Sequence, residues 1–208
     1  MILKEMKIID YLDILKTDAP APGGGGVAGL TAAQGIALTL MVLELTLGRD
    51  KYKEYEENNL KVYEKSKDIY RQLCDAADRD KEAFTQLSEA YKLPRNTEEE
   101  KVERKKIIGE KSIGATQSPY EVIELCYEAA VETEKLLGKS NQMASSDLGV
   151  AAANFVAASK SAWLNVKINL PYITDEERKE FYEKESKELL IKIEEISDRI
   201  YKYVEENL

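Results

Sequence analysis

The chain has 208 residues, 43% of them apolar and 33% charged, and a net charge of -9. That length buries one good core, so a single domain over residues 1–208 is expected. So acidic a chain is ill suited to sequence-independent nucleic-acid binding. Histidine is absent, which removes His-based triads, His-ligated zinc and imidazole bases together.

Nearly every segment between breaks has helical period, and β-branched residues never gather into alternating runs, so an all-α bundle of six or seven helices is expected. The first helix covers about Leu3 to Leu15, with Met6, Ile9, Leu12 and the neighbouring Ile8 and Leu15 on its buried side. It opens with acid and base intermixed and lacks the pattern of a signal peptide, and a cytoplasmic protein is expected. A glycine turn, Gly23 to Gly26, then leads into a helix from about Gly25 to Leu47 that Gly48 ends. Its Gly29, Ala33 and Ala37 recur every four positions, which lets a neighbour come close. Its length approaches a membrane span, but Gln34, Glu44 and three threonines favour a buried core helix.

The third helix runs from Tyr52 to Tyr91 and stops before Pro94. Thr97 and Glu100 have capping-box spacing, which starts a helix through about Ile113. Ser118, Pro119 and Glu121 mark a separate start for a helix from Pro119 to Leu137, closed by Gly138. After a polar loop, a second small-residue helix runs from Ser146 or Asp147 to Leu170 and is the expected partner of the second. A Thr174/Glu177 box opens the last, with Phe181, Leu189, Ile193, Ile196, Ile200 and Val204 on one face. Cys74 and Cys126 fall inside these patterns as small hydrophobes of a reducing compartment and have no metal-ligand spacing.

On the third helix Ile69, Leu73, Ala76, Ala77, Ala83, Phe84, Leu87 and Tyr91 gather on one face, and Asp80 sits in its middle. The flanking Asp75 and Asp78 point away, as solvated residues do. A carboxylate on an apolar stripe is pushed toward titration near neutrality, which is how a base is built without histidine. The same position also fits an Asp that meets a lysine, caps a neighbouring helix or lies where the helix emerges into solvent. Asn154, Ser161, Asn165 and Asn169 share a face of the sixth helix, suited either to a heterocycle with mixed donors and acceptors or to interhelical bonding. Gly24, Gly26 and Gly29 satisfy G-x-G-x-x-G, but no strand precedes them and no Gly-Lys-Ser/Thr follows, so neither a dinucleotide fold nor a phosphate loop is indicated. What remains is a helix N-terminus with open amides, or a turn that permits close packing.

Taken in order, "PAPGGGGVAGLTAAQG", "LTLGRDKY", "DAADRDKEAF", "KLPRNTEEE", "SDLGVAAANF" and "NVKINL" resemble the formiminotetrahydrofolate cyclodeaminase and methenyltetrahydrofolate cyclohydrolase family over nearly the whole chain. The loop Gly138 to Met143 departs from the Gly-Asn opening usual there. The resemblance implies an all-helical homodimer acting on tetrahydrofolate one-carbon units, with no metal and no cofactor beyond the folate substrate, and no membrane partner. It implies Asp80 as the catalytic proton acceptor, with Gly23, Gly24, Gly25, Gly26 and the Asp147 region in the folate pocket; Asn165 and Asn169 are our assignment to pterin contacts. A separate formiminotransferase partner goes with the cyclodeaminase activity. Arg49, Lys51, Lys53, Lys160 and Lys167 are the cations expected to meet an anionic glutamate tail. The alternative from another class is a helical scaffold, or a folate-binding pseudoenzyme without turnover.

Overall fold

The computed structural model describes residues 2–208, which form six α-helices, short 3-10 turns and, among the described residues, no strand. The helices are α1 (Ile8–Leu15), α2 (Gly24–Glu44), α3 (Glu56–Tyr91), α4 (Glu98–Glu134), α5 (Ser145–Asn169) and α6 (Glu176–Glu206). At the centre α2 and α5 lie antiparallel along each other, with α3 and α4 packed on α2 and α5, and α6 lying against α5 and α4. The close approach of the central pair depends on Gly35, where a Cβ would stand 2.6 Å from the ring of the fully buried Phe155. Gly29 faces α3 instead, against Ala76. More than half of the apolar α2 is buried in this core, as expected of a core helix.

Helix α1 is shorter than expected and turned the other way. Met6 and Lys7 are extended, so the helix begins at Ile8 and buries Tyr11. Ile8 and Ile9 are 80% and 60% exposed, and Leu12 is exposed with them. The preceding 3-10 turn, Leu3–Glu5, docks on α3, where Asp78 accepts from the Leu3 amide at 2.7 Å and Asp75 pairs with Lys4. Those two aspartates therefore anchor the start of the chain instead of lying free in solvent.

The Thr97–Glu100 capping box is present at the start of α4. The separate start at Ser118 is not, because α4 runs unbroken through Pro119. Proline has no N–H to give to the carbonyl four residues back. That carbonyl, on Ala115, instead accepts from the Asn169 side chain at 3.0 Å. Tertiary contact thus supplies the missing partner, and the helix continues. On α6 the cap is Asp175, which accepts from the Arg178 amide, while Thr174 is packed against Gly109. Phe181 is half exposed, resting edge-on against Tyr120 and Tyr182, and Tyr182 takes its expected place in the core.

Candidate active site

A cleft of about 440 Å³ opens where the N-terminus of α2, the middle of α3 and the C-terminus of α5 converge. That volume lies within the range of small-molecule sites. Its polar side is Gly23, Gly24, Gly25, Asp80, Asn165 and Asn169; its other wall is Phe84, Leu87, Tyr91, Ile168 and Tyr172, with Lys81 also lining it.

Asp80 rests directly on the backbone of Gly25, where a Cβ would come within 2.1 Å of its Oδ1. No other residue type leaves room for that carboxylate. Loss of water around the half-buried group raises its pKa to about 6, opposed by a hydrogen bond from the Gly26 amide. Nearby, the Tyr11 hydroxyl is buried without a hydrogen-bond partner, and burial together with the Asp80 charge pushes its phenol up. Gly23, at the N-cap of α2, has no side chain to cap the helix, so Asp80 caps this first turn from α3 through the Gly26 amide, and Val27 bonds back to the Gly23 carbonyl. Gly24 and Gly25, whose amides are helix-end donors, line the cleft, a position suited to an oxygen atom of a ligand.

The two asparagines are already half committed. Asn169 donates both amide protons, to the carbonyls of Ala115 and Asn165 at 3.0 Å each, and Asn165 donates to Ser161 at 2.8 Å. Because those partners are carbonyls, they fix which end of each amide is nitrogen. Asn169 therefore offers the cleft an acceptor alone, and Asn165 an acceptor with one remaining N–H.

The structure thus brings together Asp80, Gly23, Gly24, Gly25, Asn165 and Asn169, with Gly26 supplying its amide to Asp80. It does not bring Asp147 to the same cleft: that residue lies in the first turn of α5, about 27 Å of helix from Asn165. Asn154 and Ser161 also fall outside the lining. Of the expected tail cations, Arg49 and Lys53 stand beyond the far end of α2, Lys51 lies over the ring of Tyr52, and Lys160 is paired with Glu194. The aromatic wall of Tyr91 and Tyr172 is absent from the sequence reading of the site. Tyr91 was legible as part of the α3 stripe, but Tyr172 follows a proline and has no periodic signal. Among the described residues no cluster of three or more His, Cys, Asp and Glu is placed to hold a metal ion.

A half-buried carboxylate over bare backbone, beside amide acceptors and an aromatic wall, is the kind of lining that acid–base chemistry on a flat polar heterocycle requires. Residues 7–188 match the family model described as formiminotransferase-cyclodeaminase. The methenyltetrahydrofolate cyclohydrolase of Methylorubrum extorquens is 39% identical over 194 residues, 93% of each chain. The mouse formimidoyltransferase-cyclodeaminase is 34% identical over 160 residues, which are 77% of this chain and 30% of the mouse protein. The crystal structure of formiminotetrahydrofolate cyclodeaminase from Thermotoga maritima superposes with a TM-score of 0.87 at 28% identity, covering 98% of both chains. The chain belongs to the formiminotransferase-cyclodeaminase family.

Proposed function

We propose that this protein is a soluble folate one-carbon enzyme that hydrolyses 5,10-methenyltetrahydrofolate to 10-formyltetrahydrofolate with Asp80 as its general base. The observation that carries the reading is the half-buried Asp80 carboxylate, which lines the cleft seated on Gly25, where burial pushes it up to about 6. Likeness to the Methylorubrum cyclohydrolase over 93% of both chains supports the hydrolytic direction. Water adds to the cationic methenyl carbon between N5 and N10 while Asp80 takes its proton. The carbinolamine then collapses: N5 departs with the proton that Asp80 held, the carbinol hydroxyl gives up its own proton to the freed Asp80 carboxylate and from there to solvent, and the formyl group stays on N10. The open amides of Gly24 and Gly25 receive an oxygen of the ligand, and the amide oxygens of Asn165 and Asn169 accept from the ring N–H groups of the pterin. The steps require no small molecule besides the folate and water.

The likeness to the Thermotoga cyclodeaminase supports a second reaction at the same site. There N10 of 5-formiminotetrahydrofolate attacks the protonated formimino carbon, its proton crosses through Asp80 to the amino group, and ammonia leaves the methenyl product. A separate formiminotransferase would supply that substrate.

A homodimer belongs to the reading. Val150, Leu164 and Ile168 share one outward face of α5, an apolar strip suited to a second copy of the chain, and on the neighbouring α2 Met41, with Leu45 just past its end, is exposed too.

The experiment follows the methenyltetrahydrofolate chromophore with purified protein. Loss of absorbance without ammonia is the expected result. Gain of absorbance with ammonia from formiminotetrahydrofolate identifies the cyclodeaminase, and no change in either assay leaves a scaffold.

A further inference from the structure

The cleft is longer than a pterin and ends in aromatic side chains. Along α3 the rise from Asp80 to Tyr91 is about 16 Å. There the rings of Tyr91 and Tyr172 meet edge to face at 6.0 Å. Arg104, from the first turns of α4, lies over the Tyr91 ring with its guanidinium carbon 5.9 Å from the centroid, and its Nη2 donates to the Tyr91 carbonyl at 3.1 Å. That bond holds the guanidinium at the aromatic end, beside the residues that line the cleft, and its Nε is buried with no hydrogen-bond partner. The nearby Lys92 and Lys101 are each tied to a glutamate of the same helix, Glu89 and Glu98. Arg104 has no such partner among the described residues.

We infer that Arg104 is a specificity-determining residue that receives a carboxylate of the substrate's glutamate tail, with Tyr91 and Tyr172 packing the aryl group that precedes it. The inference rests on the folate reading of the cleft. With the reacting carbon at Asp80, the glutamate carboxylates of an extended folate lie roughly 10–13 Å further on at covalent bond lengths. That reach carries them to the Tyr91 end. A guanidinium held over an aromatic ring is well suited to the task, since it binds a carboxylate through two parallel N–H groups while its face covers the ring. In a protein of net charge -9 it also offsets the repulsion an anionic tail would meet.

The test compares two substrates, 5,10-methenyltetrahydrofolate and 5,10-methenyltetrahydropteroate, which lacks the glutamate, with wild type, Arg104→Lys and Arg104→Met. The expected result is a KM about tenfold higher for the glutamate-bearing substrate in Arg104→Met, with kcat within about twofold and the pteroate unaffected; Arg104→Lys falls between. An equal rise in KM for both substrates assigns Arg104 a structural role through Tyr91 and overturns the inference, as does an unchanged KM. Should Arg104→Met fail to fold, as read by circular dichroism, the wild-type protein decides alone: added salt must raise KM for the glutamate substrate and not for the pteroate. Turnover by wild type without any Arg104 or salt effect sinks this inference and leaves the enzyme standing. Absence of both turnover and folate binding in wild type removes the function reading, and this inference with it.

Discussion

Burial pushes the Asp80 carboxyl up to about 6, and the hydrogen bond from the Gly26 amide opposes that shift only in part. A base must be ionised to act, so kcat/KM for methenyltetrahydrofolate is expected to rise as pH increases through about 6 and to level off above it. The kcat limb should lie at lower pH, since the cationic substrate beside the carboxylate favours its charged form. The same shift sets a stability effect of definite sign. The folded-state pKa is higher than the ordinary 3.8, so the folded protein binds more protons between about 4 and 6, and this group's contribution to stability falls as pH rises through that window. Asp80→Asn should therefore lower turnover by a factor of about 10² to 10⁴ while raising stability at pH 7.5 by about 1–2 kcal/mol, a gain that vanishes near pH 4. Thermal or urea unfolding at the two pH values checks it; an Asn variant with wild-type turnover would contradict the assignment. The break in the α3 stripe made Asp80 visible in the sequence. Nothing in periodicity showed that Asp75 and Asp78 hold the Leu3–Glu5 turn, because the partner lies more than seventy residues away.

The clearest departure among the elements is α4, which the sequence divides at Ser118-Pro119 and the structure does not. Proline at that point carries the local signature of a helix start, and local rules hold unless another part of the chain satisfies the orphaned carbonyl. Asn169 does so from α5. Interaction between the two positions can be measured directly. Asn169→Ala should cost about 1–2 kcal/mol in the wild-type background, where it strands a buried carbonyl, and much less in a Pro119→Ala background that restores the helical donor. Equal losses in both backgrounds would show that the side chain does not serve that carbonyl. Helix α1 departs from its expected face for a related reason. Its apolar residues occur so densely that periodicity alone admits more than one buried face, and the docked turn before it selects the one bearing Tyr11.

At the scale of the whole molecule the bundle was legible because its helices are long and bounded by strong signals, with Gly48 and Gly138 both at positive φ where helices end. The cleft was legible only in part. Gly23 to Gly26, Asp80, Asn165 and Asn169 are distributed over three helices, and only the antiparallel packing of α2 on α5 makes them neighbours. Asp147 belongs to the opposite end of the same helix, a separation that a motif read along the chain does not display. The outward strip on α5 gives a prediction at this scale. Leu164, 66% exposed, should tolerate Leu164→Glu without loss of helix content, and light scattering should show the proposed homodimer in the wild type and a monomer in the variant. A wild-type protein that is monomeric at micromolar concentration would refute the dimer.

Ile168 belongs at once to the wall of the cleft and to that outward strip, where it is 68% exposed. In the proposed homodimer, filling the cavity and joining two copies would therefore act on one side chain. Thermodynamic reciprocity follows: whatever factor subunit association contributes to folate affinity, folate returns to association. A cell that concentrates this protein would then also be adjusting how tightly it holds its one-carbon pool.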